Sequence, residues 1–151
     1  LTAMIQAGRI SPGDEVIVPA ATFTTVISPI LQVGLVPVFV DVEMETYNIC
    51  PKAIERAITE KTKLIMMVHS LGCSADMDGI MSISKKHKIP VLEDCCEAHG
   101  SSYKGKMVGS FGVLSTWSFF VAHNMTRTYM YHREMAGGIG TCGSALECQN
   151  V

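Results

Sequence analysis

Short apolar runs alternate along this chain with stretches that have helical periodicity, and this alternation constrains the fold more than any other feature. Five apolar runs predict β-strands, at residues 15–18, 37–41, 63–68, 89–93 and 113–119. Three intervening stretches predict helices, at residues 22–33, 51–58 and 76–87. Apolar strands that alternate with helices predict a mostly parallel sheet covered on both faces, which is a three-layer α/β/α fold.

Polar residues stand at or just beyond the carboxyl ends of several predicted strands. They are Asp41, His69, Asp94 and Ser118. In parallel α/β sheets, ligands bind outside the carboxyl ends of the strands. We therefore expect a ligand site at this edge of the sheet.

Composition and charge exclude several classes of function. The chain has 151 residues, of which 48% are hydrophobic and 17% charged, as expected for one globular domain. The formal net charge is -2 and no dense Lys/Arg run occurs, which argues against nucleic-acid or acidic-membrane binding. The most apolar run, residues 64–68, is too short to cross a bilayer, and residues 1–10 lack the pattern of a signal peptide.

The six cysteines do not form the pattern of a zinc site or of a disulfide scaffold. None belongs to a CxxC pair. We expect reduced thiols in or near the core, no bound metal and a cytoplasmic location.

Three segments contain residues that could carry chemistry. Asp94 ends a buried strand, where a carboxylate is costly unless it is paired; one suitable partner is the protonated pyridine nitrogen of pyridoxal phosphate. An ordinary helix cap or a surface ion pair is the alternative. Ser118 could bind phosphate and His123 could move protons, although a lone histidine is more often structural. Phe23 could stack on a flat cofactor or belong to the core.

Ordered landmarks over roughly residues 10–125 resemble the DegT/DnrJ/EryC1/StrS family of sugar aminotransferases. The landmarks are Gly-Asp-Glu-Val-Ile-Val-Pro at 13–19, Pro-Val-Phe-Val-Asp-Val at 37–42, Thr-Tyr-Asn-Ile at 46–49, Val-His at 68–69, Ala-Asp-Met-Asp at 75–78, Glu-Asp at 93–94, Ala-His-Gly at 98–100 and Tyr-Lys-Gly-Lys-Met-Val-Gly-Ser-Phe-Gly at 103–112. The resemblance implies the large domain of the type I fold of pyridoxal-phosphate-dependent transferases, present here in part.

The same resemblance implies roles for four residues in binding pyridoxal 5'-phosphate or pyridoxamine 5'-phosphate. Asp94 would pair with the pyridine nitrogen, and Phe23 would stack on the ring. Ser118 would bind the phosphate, and Glu97 stands where a glutamine commonly lies near the cofactor.

The catalytic position departs from the family pattern, Ser-Phe-x-x-x-Lys-Asn. This chain has Ser118, then His123 and Asn124 in the same register. Imidazole cannot form the Schiff base that lysine forms, so the chain looks similar to the branch of nucleotide-sugar 3-dehydratases in which histidine replaces lysine. In that branch the histidine is the base in the 3-dehydration of a nucleotide-linked 4-keto-6-deoxyhexose, a reaction of deoxysugar and O-antigen (lipopolysaccharide) biosynthesis. A sugar aminotransferase and a noncatalytic remnant are the alternatives.

The chain also differs from the family at both ends. A phosphate-binding turn upstream of Leu1 and the C-terminal small domain are expected to be absent. Residues 1–125 are predicted to be a partial cofactor-binding large domain, and residues 126–151 an irregular segment that lacks the family's Gly-Glu-Gly-Gly. For the full-length protein the resemblance implies a homodimer, and in some members an iron–sulfur reductase partner.

Overall fold

The computed structural model describes residues 1–119, which contain a five-stranded sheet, a two-stranded sheet and four α-helices. The helices are α1 Thr2–Gln6, α2 Thr24–Gln32, α3 Pro51–Ala57 and α4 Met77–His87, with a 3-10 turn at Ser70–Gly72. The strands are β1 Glu15–Pro19, β2 Val36–Val40, β3 Thr62–Val68, β4 Val91–Asp94, β5 Ser102–Tyr103, β6 Lys106–Met107 and β7 Leu114–Thr116. No helix within these residues is long and apolar enough to span a membrane.

The main sheet has the strand order β2-β1-β3-β4-β7, and every neighbouring pair is parallel. Alternate residues of its strands enter two separate cores. Ile65 and Met67 pack with α3 and α4 on one face, whereas Leu64 and Met66 pack with α1 and α2 on the other. The predicted three-layer α/β/α architecture is therefore confirmed.

The helix termini follow from local sequence chemistry. Pro51 is the first residue of α3, where its missing N–H has no intrahelical partner to lose. The Asp76 side chain accepts a hydrogen bond from the Gly79 N–H, so this residue caps α4 instead of opening it. Helix α2 begins two residues later than predicted because Phe23 is extended (φ -80°, ψ 149°).

The last strand is shorter than predicted. Residues 113–119 were expected to be extended, but only Leu114–Thr116 forms β7. Its neighbour β4 ends at Asp94, the register partner of Thr116, and the chain then turns away. Residues 117–119 consequently lie beyond the end of β4 and outside the sheet.

Candidate active site

The structure places the predicted site residues at one edge of the main sheet. Asp94 is the last residue of β4 and is 9% exposed. Ser118 comes two residues after Thr116, which pairs with Asp94. Phe23 lies between β1 and α2 with its side chain 70% exposed. All three lie at or just beyond the carboxyl ends of parallel strands, where the sequence predicted Asp94 and Ser118.

The Asp94 carboxylate is held by the turn that follows it. Oδ1 accepts the Cys96 N–H at 3.0 Å, and the main-chain oxygen of Asp94 accepts the His69 N–H at 3.0 Å. Burial and then a hydrogen bond to Asp94 raise the pKa of Cys96 to about 12, so its thiol stays protonated. No cationic side chain within residues 1–119 forms an ion pair with Asp94. The turn uses part of the hydrogen-bonding capacity of the Asp94 carboxylate, and a cationic ligand can still bind this carboxylate.

The neighbourhood of Phe23 contains a buried polar atom without a partner. Thr22 Oγ1 is buried and accepts or donates no hydrogen bond among the described residues. A buried hydroxyl normally finds a partner, because its desolvation is otherwise uncompensated. Thr22 immediately precedes Phe23, whose exposed ring offers a face to a planar ligand.

The segment that contains Ser118 is held by His99. The His99 Nε2 atom donates to the Ser118 main-chain oxygen at 2.8 Å. The imidazole also packs edge-on against Trp117, with ring centroids 4.9 Å apart, and lies 5.7 Å from the Phe119 ring. These contacts fix the chain just before residue 120.

Glu97 stabilises a strained turn after β3. Its carboxylate accepts the Leu71 N–H at 3.0 Å. Leu71 has left-handed backbone angles (φ 52°, ψ 29°), which cost free energy for a residue other than glycine. Contact of Glu97 with a cofactor remains a prediction.

A buried acid–imidazole pair lies immediately beside Asp94. Glu93 and His69 are both 0% exposed, and the His69 Nε2 atom lies 3.1 Å from the Glu93 carboxylate. The other ring nitrogen, Nδ1, accepts the Ala75 N–H at 3.1 Å and so carries no proton. His69 therefore donates from Nε2 to Glu93.

Three main-chain N–H groups complete the hydrogen bonding of Glu93. Gly109, Phe111 and Gly112 donate to its carboxylate at 2.7, 2.8 and 2.5 Å. Burial by itself raises the pKa of Glu93, but the bonds from His69 and from the three N–H groups together lower that pKa below its ordinary value of 4.5. The ionised Glu93 thus fastens the loop before β7 to the end of β4.

Cys95 lies near this pair and completes a group of three potential metal ligands. Ligand atoms of His69, Glu93 and Cys95 lie within 4.8 Å of one another. However, His69 Nε2 bears a proton, and burial raises the pKa of the Cys95 thiol well above its ordinary value. Both ring nitrogens of His69 are already hydrogen-bonded, so the imidazole offers no free lone pair to a metal ion.

Comparisons with known proteins match this chain over most of its length. The family described as the DegT/DnrJ/EryC1/StrS aminotransferase family matches residues 1–129. The chain belongs to this family. A dTDP-4-dehydro-2,6-dideoxy-D-glucose 3-dehydratase of Saccharopolyspora spinosa is 51% identical over 118 residues, which are 78% of this chain and 26% of that protein.

Two solved structures have the same architecture. An aminotransferase from Psychrobacter cryohalolentis is 48% identical, with a TM-score of 0.77 over 81% of this chain and 31% of its own. The E. coli GDP-4-keto-6-deoxy-D-mannose-3-dehydratase with bound hydrated pyridoxal phosphate is 38% identical, with a TM-score of 0.74 over 78% of this chain and 30% of its own. The chain thus spans under a third of these relatives. The expected type I fold and the family's use of pyridoxal phosphate are confirmed.

His123, the predicted base of this family member, lies outside the described residues, as does the boundary predicted at residue 125. Sequence reasoning missed Glu93 and His99 as structural partners of the site. An acidic residue within the apolar run Val-Leu-Glu-Asp was a signal for Glu93, because a buried carboxylate needs several donors. For His99 no local pattern indicated a contact with a segment 19 residues further along the chain.

Proposed function

We propose that this chain is part of an enzyme that uses pyridoxamine 5'-phosphate to remove the C3 hydroxyl of a nucleotide-linked 4-keto-6-deoxyhexose, with His123 as the base. The observation that carries the proposal is the register of one segment. His123 follows Ser118 by five residues, where the family has its lysine, and Asn124 keeps its place. Imidazole moves protons near neutral pH but does not bond covalently to an aldehyde cofactor as an amine does.

The described residues fit the cofactor at the sheet edge. Asp94 has no cationic partner within residues 1–119 and would accept the protonated pyridine nitrogen. Phe23 offers an exposed ring for stacking, and Ser118 would bind the phosphate. When bound, the cofactor supplies an amino group for a sugar ketone and a ring that withdraws electrons. Glu97 would lie close to the cofactor ring, held in place by its hydrogen bond to the turn after β3.

A sugar aminotransferase is the second candidate. It is supported by the family description and by the aminotransferase at 48% identity, which is close to the 51% identity of the dehydratase. These identities do not discriminate between the two reactions. His123 favours dehydration, because returning the cofactor to its aldehyde form on the enzyme ordinarily uses the lysine amine.

The partners proposed for the whole protein follow from its relatives. The dehydratase relatives are named for nucleotide-linked sugars, which supports a substrate of that class. Because the chain spans under a third of these proteins, we propose that a homodimer forms only in a longer protein. An iron–sulfur reductase would then reduce the dehydrated product in some variants of the reaction.

Borohydride trapping tests the histidine assignment. The chain is incubated with pyridoxal phosphate, reduced with borohydride and digested. The mass of the peptide that contains residue 123 is then measured by mass spectrometry. We expect no cofactor on the wild-type peptide and a covalent adduct on the His123→Lys peptide. Stable labelling of one lysine at the site in the wild-type chain would instead support the aminotransferase.

Binding of pyridoxamine phosphate, measured by calorimetry, tests the rest of the proposal. We expect saturable binding that Asp94→Asn weakens, because the amide cannot neutralise a protonated pyridine nitrogen. Glu55→Gln, far from this edge, is the matched control. If the wild-type chain binds neither cofactor form, it is a noncatalytic remnant and the proposal fails.

A further inference from the structure

We propose that His99 is a positioning residue that sets the phosphate end of the cofactor site by holding Ser118. This inference rests on the proposed function, which assigns the phosphate to Ser118. His99 itself touches neither cofactor nor substrate in this assignment. It acts through one hydrogen bond and two ring contacts with residues 117–119.

The contacts of His99 hold a segment that lies beyond the end of β7. β7 ends at Thr116, and β4 ends at the paired Asp94. Beyond that point, a bond from His99 Nε2 to the Ser118 oxygen, 2.8 Å long, ties the chain to the turn after β4. A carbonyl oxygen can only accept, so Nε2 must carry a proton.

His99 is itself fixed on both sides. Ala98 is 0% exposed, and its N–H donates to the Cys95 oxygen at 3.0 Å. Ser101 is 2% exposed, and its hydroxyl donates to the Gly72 oxygen at 2.6 Å. A side chain on such an anchored turn can hold a neighbouring segment in one place, whereas a side chain on a mobile loop cannot.

The position of His99 links the two ends of the proposed ligand. Asp94, for the pyridine nitrogen, stands five residues before His99 in the same turn region. Ser118, for the phosphate, receives the imidazole N–H. His99 therefore sets the separation between the group that binds the ring and the group that binds the phosphate, and its loss should affect phosphate recognition specifically.

The test compares the affinities of pyridoxamine phosphate and of pyridoxamine, which lacks the phosphate, for variants of the chain. Calorimetry yields the ratio of the two dissociation constants, which isolates the contribution of the phosphate. His99→Phe retains an aromatic ring without a donor, and His99→Gln retains an N–H donor. Ser118→Ala is the benchmark for losing the phosphate contact. His87→Gln is the matched histidine control, because His87 binds Glu55 at the end of α4.

We expect wild type and His87→Gln to prefer the phosphorylated ligand equally. In His99→Phe the preference for the phosphorylated ligand should fall about three- to tenfold, as expected for the loss of one hydrogen bond. Its affinity for pyridoxamine should stay nearly unchanged. His99→Gln should restore most of the preference. Should His99→Phe fail to fold, His99→Leu, which also lacks the donor, takes its place: a lost preference with unchanged affinity for pyridoxamine supports the inference, and a wild-type ratio overturns it.

Two other results would overturn the positioning role. His99→Phe could weaken both ligands by the same factor, which indicates a merely structural residue. It could also keep the wild-type ratio while Ser118→Ala loses it, in which case the proposed function stands and only the inference fails. If the wild-type chain binds neither ligand, both fall together.

Discussion

Replacing Glu93 by glutamine should be among the most damaging single changes in the described fold. The carboxylate accepts from four N–H groups, those of His69, Gly109, Phe111 and Gly112. Glutamine has nearly the same shape but only one oxygen. Its NH₂ group must face two of the four donors, whichever way the amide is turned.

The size of the effect follows from the buried groups that lose their acceptor. Each buried donor left without a partner costs about 1–3 kcal/mol. With two donors orphaned at a fully buried site, we expect the free energy of unfolding to fall by about 2–6 kcal/mol. Domains of this size are stable by only about 5–15 kcal/mol, so the variant should be marginal.

Urea unfolding of both proteins measures this change. Trp117, the single tryptophan, lies against Gly109, so its fluorescence reports on the loop that Glu93 holds. Glu55→Gln is the control, since the Glu55 carboxylate also contacts two side chains, Lys86 and His87, but at the surface. We expect the control to unfold close to wild type. A Glu93→Gln midpoint equal to that of Glu55→Gln would refute the reasoning.

Three further predictions concern pH, thiol reactivity and packing. The pKa of Glu93 lies below its unfolded value near 4.5, so its stabilisation is complete above that value and is lost as the pH falls through the folded pKa. The stability gap between wild type and Glu93→Gln, measured by urea unfolding, should therefore be constant near neutral pH and shrink as the pH falls below about 4.5. The thiol of Cys96, with a pKa of about 12, should react with iodoacetamide at pH 8 at least about 50-fold more slowly than free cysteine, as measured by peptide mass spectrometry. Gly112→Ala would place a Cβ 2.4 Å from the Val91 oxygen and should lower the free energy of unfolding by about 1–3 kcal/mol, measured in the same urea titration.

Features that depend on local sequence were predictable. The strand formed by residues 62–68 is nearly all apolar, and it lies in the middle of the sheet with both faces covered. Pro51 marks a helix start because it has no N–H to leave unpaired. Asp76 marks another because its side chain accepts an N–H of the first helical turn. Placement of Asp94 and Ser118 at one edge followed from parallel topology alone.

Features that depend on distant partners were not predictable in the same way. The end of β7 is determined by where β4 stops, and apolar residues such as Trp117 and Phe119 look strand-forming in isolation. Instead their rings pack around His99, 18 and 20 residues away in sequence. Periodicity carries no information about such contacts.

Two adjacent acids at the end of β4 face opposite sides of the sheet because side chains alternate across a strand. Val91 packs on the α3 and α4 side and Leu92 on the α1 and α2 side, so Glu93 faces the former and Asp94 the latter. Glu93 is saturated by four N–H donors and is structural, whereas Asp94 faces the side where Phe23 opens α2. The chain can therefore hold Asp94 rigidly through its neighbour and still leave it able to bind a ligand. Exchanging the two residues would preserve composition and charge, but the shorter Glu93→Asp side chain could not reach all four N–H donors.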